Sequence, residues 1–78
     1  MPTLDDLFAP ILADRLREAR LTLNLTQEQL GQKVGLPHTQ ISHWETGLRQ
    51  PSLINFRRLC KALDVNPHWL LGLKAASK

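Results

Sequence analysis

The sequence predicts an all-α fold, a compact bundle of five short helices, on three observations. Apolar residues recur at intervals of three and four along most of the chain, which is the period of an amphipathic helix. Capping residues, prolines and glycines divide this pattern into short segments. No segment alternates apolar and polar residues as a half-buried strand would, and no internal repeat is present. A chain of 78 residues has room for one domain.

The beginning of the chain contains two competing helix starts. Thr3 can cap a short turn over residues 4–8, and Pro10 then interrupts that turn. Proline fits best in the first turn of a helix, where its missing N–H costs nothing, so a helix is predicted from Pro10 to Thr22. Asn24 suits a left-handed helix end. The predicted inner stripe of this helix is Leu12, Leu16, Ala19 and Leu23.

These boundaries divide the chain into an N-terminal extension, residues 1–9, a domain, residues 10–73, and a C-terminal tail, residues 74–78. The apolar residues of the extension either pack across a partner or cap the core of their own chain, and the sequence leaves both alternatives open. These residues are Leu4, Leu7 and Phe8.

A second helix is predicted to start at a capping box. Thr26 and Gln29 have the spacing at which a threonine side chain and a glutamine side chain satisfy each other's backbone donors. Leu30 and Val34 lie four residues apart and therefore share the inner face of this helix. Gly31 lies between them and is small enough for another helix to approach closely.

A tight turn and a third helix follow. Gly35 breaks the second helix, Leu36 fills the turn, and Pro37 suits the first turn of a helix over about 37–45. Ile41 and Trp44 are three apart and face the core, which leaves the opposite face of this helix free. Two short helices joined in this way form a helix-turn-helix, whose second helix can enter a DNA major groove.

Two further helices complete the predicted bundle. Ser52 caps the fourth helix, and Asn66 followed by Pro67 is a start signal for the fifth. The predicted apolar stripe of the fourth helix is Leu53, Phe56, Leu59, Cys60 and Leu63. The predicted inner face of the fifth helix is Trp69, Leu70 and Leu73. We assign both tryptophans to the core rather than to a platform for stacked bases.

Composition narrows the function classes. The formal net charge is +3, which is compatible with a polyanionic partner. No apolar run is long enough to span a bilayer, and nothing resembles a signal peptide, so a soluble cytoplasmic protein is expected. Cys60 is the single cysteine and is expected to be a small buried thiol in a reducing compartment.

The sequence does not predict an enzyme. It contains no nucleophile–base–orienter set, no paired carboxylates at a plausible pocket and no glycine-rich phosphate loop. His38 and His43 are five residues apart rather than three or four, and no nearby cysteine or acid completes a metal site. We therefore predict no metal and no cofactor.

Six segments in a fixed order carry a family resemblance. They are LREAR at 16–20, LTQEQLGQKVGL at 25–36, ISHWETG at 41–47, RQPS at 49–52, LCKALDV at 59–65 and HWLLG at 68–72. Together they resemble the Cro/C1-type (XRE) helix-turn-helix transcription regulators over roughly residues 11–73. The resemblance implies a lambda-repressor-like bundle, with the helix-turn-helix formed by helices two and three, acting in a prokaryotic or phage-infected cytoplasm.

The resemblance also implies which side chains meet DNA and which pair holds the fold. Base edges would be read by His38, Thr39, Gln40, Ser42 and His43. Phosphates would be bound by Thr26, Gln27, Thr46, Arg49 and Ser52. Arg20 and Glu45 would form a partly buried structural ion pair that locks the reading helix to the bundle.

The resemblance further implies a homodimer that binds an inverted-repeat operator and regulates transcription, most often as a repressor. The expected dimer interface is Val65, Pro67, His68, Leu70, Leu71 and Leu73. Two alternatives stay open. One is an antitoxin-like protein that binds a partner toxin and represses its own operon, and the other is a controller protein of a restriction–modification system. No small-molecule ligand and no membrane partner is implied.

Overall fold

The computed structural model describes residues 4–73 of the chain, and this part is all-helical, which confirms the predicted fold class. Helix α1 packs against α3 and α5, and α2 packs against α3 and α4. No helix of the described range is long and apolar enough to cross a membrane. The helices are α1 Leu4–Thr22, α2 Gln27–Val34, α3 His38–Thr46, α4 Leu53–Leu63 and α5 Pro67–Leu70.

Each of the five helices contributes one wholly enclosed side chain to a single core. These side chains are Leu16, Leu30, Ile41, Leu59 and Leu70. Trp44 and Trp69 are also buried, so both belong to the core, as the sequence predicts. Because α2 and α3 are only eight and nine residues long, they depend on α1, α4 and α5 to bury their inner faces.

The prediction that a new helix begins at Pro10 is wrong. Helix α1 runs without interruption from Leu4 to Thr22, with Pro10 inside it. Pro10 is exposed, so its ring lies on the outer side of α1 and not in the core. Phe8 packs against the core of its own chain. The cap at Thr3, the side chains of the other two apolar extension residues and the tail 74–78 lie outside the described part.

Three leucines predicted to face the core are exposed instead. Leu23 follows the end of α1 and is 42% exposed, and Leu53 is the first residue of α4 and is 83% exposed. Leu73 is 75% exposed because α5 ends at Leu70, one turn earlier than the apolar pattern suggests. All three lie at or beyond a helix end, where helical periodicity no longer describes the direction of a side chain.

The connection between α2 and α3 has the predicted geometry at both ends. Thr26 and Gln29 form the capping box. The Thr26 hydroxyl accepts a hydrogen bond from the backbone N–H of Gln29 at 3.0 Å, and Gln29 Oε1 accepts one from the backbone N–H of Thr26 at 2.8 Å. Gly35 ends α2 in the left-handed region at φ 74°. A Cβ atom at Gly31 would clash with the carbonyl oxygen of Leu36. The closest approach at Gly31 is therefore made by the turn, and the backbone nitrogen of His38, the first residue of α3, would lie 3.5 Å from such a Cβ atom.

Three other helix ends are capped at residues that the sequence predicts. Asn24 takes a left-handed conformation after α1, at φ 56°. The Ser52 hydroxyl accepts a hydrogen bond from the backbone N–H of Asn55 at 3.2 Å, and Asn66 Oδ1 accepts one from His68 at 2.8 Å. These caps fix the starts of α4 and α5, and the one at α4 places Ser52 at a helix N-terminus as expected.

Candidate nucleic-acid interface

The surface expected to read bases is open to solvent. Ile41 and Trp44 hold one face of α3 against the core. The rest of the α3 surface carries the five predicted base-reading side chains, two of them exposed and three half-exposed. None of these side chains is packed inside the monomer. The exposed residues are His38 and Thr39, and the half-exposed residues are Gln40, Ser42 and His43.

This face has the chemistry that distinguishes base pairs in a major groove. The carboxamide of Gln40 can both donate and accept, which matches the edge of adenine. The Thr39 methyl can pack on a thymine methyl, and an imidazole N–H of His43 can donate to guanine. Because Thr39 and His43 are four residues apart, they share one face of α3. Within residues 4–73 no group of histidines, cysteines and acids is placed to hold a metal ion.

Two of the predicted phosphate contacts lie where α2 begins. The Thr26 hydroxyl oxygen accepts from the backbone of Gln29, so its own proton is left to donate. Gln27 is the first residue of α2, where the backbone N–H has no partner within a helix. The positive end of the helix dipole adds to the attraction for an anion at this end.

The three residues predicted to bind phosphates on the other side of the groove differ in which hydrogen-bond donors they have free. The Thr46 hydroxyl already donates to the carbonyl of His43 at 3.2 Å, so it is no longer a free donor in this conformation. Ser52 uses only its oxygen in its cap and keeps its proton. Arg49 is exposed and has no ion-pair partner among the side chains that the structure describes. Of these three residues, Arg49 is therefore the one that can attract a phosphate by its charge.

Arg20 and Glu45 form a buried, bidentate ion pair between α1 and the end of α3. Arg20 Nε donates to Glu45 Oε2 at 2.6 Å, and Arg20 Nη2 donates to Glu45 Oε1 at 2.9 Å. A third bond, from Nη1 to the carbonyl of Leu25 at 2.7 Å, holds the segment that leads into α2. The hydrogen bonds to Glu45 raise the pKa of Arg20 above its ordinary value. One guanidinium thus fixes three helices relative to each other.

Sequence reasoning missed a contact between this pair and one of the residues predicted to bind phosphate. Gln27 Nε2 donates to Glu45 Oε1 at 3.3 Å, so the ion pair and the start of α2 form one network. The network lies beside an open cleft of about 370 Å³ between the first turns of α2 and α3. The cleft is lined by Arg20, Thr26, Gln27, Glu28 and His38.

The expected dimer interface needs one correction. Leu70 is fully enclosed in the monomer, so it cannot contact a second chain directly. The other five expected residues reach the surface, with Pro67, His68 and Leu73 exposed and Val65 and Leu71 half-buried. Burial of Leu70 follows from its position on α5 beside Trp69, where both side chains point into the core.

An apolar groove along α4 was missed by the sequence reasoning. This α4 groove has a volume of about 460 Å³ and is lined by Leu53, Ile54, Phe56, Arg57, Cys60 and Pro67. Ile54 is 67% exposed, although it is a large apolar residue. Cys60 is half-buried rather than buried, and desolvation raises the pKa of its thiol, which disfavours the reactive thiolate.

Comparisons with known proteins agree with this geometry. The sequence signature of a helix-turn-helix family, HTH_3, matches residues 16–70. The chain is 36% identical over 61 residues to Repressor protein C2 of Salmonella phage P22, covering 78% of this chain but only 28% of that protein. It is 39% identical over 62 residues to Control protein C.BamHI of Bacillus amyloliquefaciens, covering 78% of this chain and 76% of that protein.

A solved structure shows the same arrangement of helices. The P22 c2 repressor protein in complex with synthetic operator 9T superposes with a TM-score of 0.77 at 35% sequence identity, covering 81% of this chain and 96% of that one. The relatives named are regulators or control proteins, and none is named as an enzyme. The chain therefore belongs to the helix-turn-helix family of Cro/C1-type (XRE) DNA-binding transcriptional regulators.

Proposed function

We propose that this chain binds double-stranded DNA sequence-specifically and represses transcription as a homodimer on an inverted-repeat operator. The observation that carries the proposal is the orientation of α3, whose buried Ile41 and Trp44 leave a polar face directed to solvent. The likeness to an operator-bound P22 repressor supports the same orientation. A net charge of +3 favours association with a polyanion.

The proposal assigns two kinds of contact to different elements. The polar face of α3 reads base edges, and the start of α2 and the loop before α4 hold phosphates on either side of the groove. Base contacts carry sequence information, whereas phosphate contacts set position and much of the affinity. Because the Thr46 hydroxyl proton is engaged, Arg49 and the α4 start near Ser52 carry the second phosphate contact.

This division predicts different results for His43→Ala and Arg49→Ala. The first variant should relax preference at one or two base pairs, because one donor to a base edge is lost. The second should weaken binding to all duplexes alike and reduce the slope of log affinity against log salt by about one. Selection from random duplexes, followed by titrations at several salt concentrations, measures both. Equal behaviour of the two variants would contradict the division.

We propose that the dimer forms through the α4 groove together with the exposed part of the expected interface, since Pro67 belongs to both. A second copy of the chain would cover Leu53 and Ile54, which are otherwise large apolar side chains in water. A two-fold dimer places two reading helices in successive major grooves about 34 Å apart, which is what an inverted repeat requires.

Ile54→Lys is therefore expected to shift the chain toward monomer in sedimentation experiments and to weaken binding to a full operator more than to a half-site. The monomer should stay folded, because Ile54 is already largely exposed. Leu21→Lys is the matched control, since Leu21 is 55% exposed on α1 and lies outside the groove. An unchanged monomer–dimer equilibrium in Ile54→Lys would place the interface elsewhere.

A controller protein of a restriction–modification system is the second candidate function. The observation that favours it is the likeness to Control protein C.BamHI, which extends over 76% of that protein. The genes beside the gene of this chain distinguish the two candidates. Genes for a restriction enzyme and a methyltransferase there would support the second candidate, and other neighbours would support the first.

A further inference from the structure

The carboxylate of Glu45 connects the buried ion pair to the surface expected to face DNA. Its two oxygens accept three hydrogen bonds, two from Arg20 and one from Gln27. Glu45 is itself buried, and both it and Arg20 are fixed by the bidentate geometry. The side chain of Gln27 is therefore attached to a rigid acceptor, although Gln27 is only half-buried at the start of α2.

Gln27 keeps two free hydrogen-bond donors after it has bonded to Glu45. A carboxamide nitrogen carries two hydrogens, and one of them points to Glu45 Oε1. The second hydrogen and the unpaired backbone N–H of the same residue remain as donors at the edge of the cleft between α2 and α3. Without Glu45, the long side chain of Gln27 would have to be ordered when DNA binds, which opposes binding.

The charge of Glu45 would repel a phosphate if it were not neutralised. Arg20 provides this neutralisation through two charge-assisted hydrogen bonds of 2.6 Å and 2.9 Å. The pair therefore presents no net charge beside the cleft, and it offers a fixed acceptor that turns the carboxamide of Gln27. Neither Arg20 nor Glu45 needs to touch DNA for this effect.

We propose that Glu45 is a positioning residue for DNA binding, which orients the Gln27 carboxamide toward a phosphate, in addition to its role in holding the fold. The inference rests on the proposed function, because it assigns a device to the phosphate contact at Gln27. An ion pair that acts on stability alone would leave the side-chain orientation of Gln27 unaffected. The orientation of Gln27 therefore distinguishes a positioning role from a purely structural one.

A double-mutant cycle on DNA affinity tests the proposal with Glu45→Gln, Gln27→Ala and the combined variant. A glutamine at 45 has one acceptor oxygen for the three bonds. We expect about a tenfold loss of affinity in Gln27→Ala and about a three- to tenfold loss in Glu45→Gln, each the same for all duplexes. In the Gln27→Ala background, Glu45→Gln should cause almost no further loss.

The affinities are corrected for the folded fraction, measured by circular dichroism, because Glu45→Gln also weakens the fold. Asp14→Asn is the matched control: it changes the charge equally and removes the acid of an exposed pair with Arg17 at 3.6 Å. It should leave affinity within about twofold of the original protein. Equal losses for Glu45→Gln in both Gln27 backgrounds would overturn the proposal.

A second measurement needs neither DNA nor a stable Glu45 variant. In NMR spectra of the unmodified chain, the side-chain amide of Gln27 should be more ordered and exchange more slowly than that of Gln32, which is exposed on the same helix. Equal mobility of the two amides would overturn the proposal. Failure of the unmodified chain to retain any duplex at low ionic strength would instead reject the proposed function and leave the orientation of Gln27 standing.

Discussion

Replacing Arg20 with alanine is expected to lower the free energy of unfolding by about 3–5 kcal/mol. The variant leaves the carboxylate of Glu45 buried without a counter-charge, and it releases the carbonyl of Leu25 from a 2.7 Å hydrogen bond. The pair joins residues 25 positions apart in sequence, so its loss removes one of the contacts that hold α1 against the end of α3. Chemical denaturation monitored by circular dichroism measures the change.

The size of this effect depends on burial rather than on charge. Asp14→Ala removes the acid of the exposed Arg17–Asp14 pair and should cost no more than about 1 kcal/mol, because both partners are hydrated. Arg20→Lys keeps the charge but loses the two-pronged geometry, so its stability should fall between those of Arg20→Ala and the original chain. If Arg20→Ala were no more destabilising than Asp14→Ala, the pair would not help to hold α1 against α3.

Leu30→Ala is expected to cost about 2–5 kcal/mol, through lost apolar burial and the cavity that remains. Leu30 is the wholly enclosed side chain that α2 contributes to the core. A helix of eight residues has too few other contacts to compensate, so α2 and the turn after it should open first. Denaturation gives the total effect, and hydrogen exchange of the α2 amides shows where it is felt.

The matched control for Leu30→Ala is Leu48→Ala. Leu48 lies in the loop after α3 and is 69% exposed, so the same chemical change there should alter stability by no more than about 0.5 kcal/mol. Similar losses at Leu30 and Leu48 would contradict the assignment of Leu30 to the core.

The sequence was most informative about where α2, α4 and α5 begin. Thr26, Ser52 and Asn66 are recognisable caps because each needs only its immediate neighbours to satisfy backbone donors. Burial along the middle of most helices was equally predictable, since period and burial agree there, but Cys60 of α4 is half-buried where burial was predicted. Pro10 was misjudged because the preference of proline for the first turn of a helix does not exclude an exposed position inside a longer helix.

The features of the site that escaped prediction depend on contacts between distant segments. The hydrogen bond from Gln27 to Glu45 joins two residues 18 positions apart, and no local pattern encodes it. The α4 groove forms because Leu53 and Ile54 lie on the side of α4 that no other helix covers. The engaged hydroxyl of Thr46 follows from the conformation at the end of α3. Each of these requires the packed bundle and not the pattern of one helix.

The two buried indoles give the chain a built-in optical reporter. The sequence contains no tyrosine, so its fluorescence at long excitation wavelengths comes from Trp44 on α3 and Trp69 on α5. The guanidinium carbon of Arg15 lies 5.2 Å from the Trp69 ring centroid, which gives this indole an environment of its own. A variant that keeps only Trp69 therefore reports on detachment of α5, and a variant that keeps only Trp44 reports on movement of α3, without an added dye.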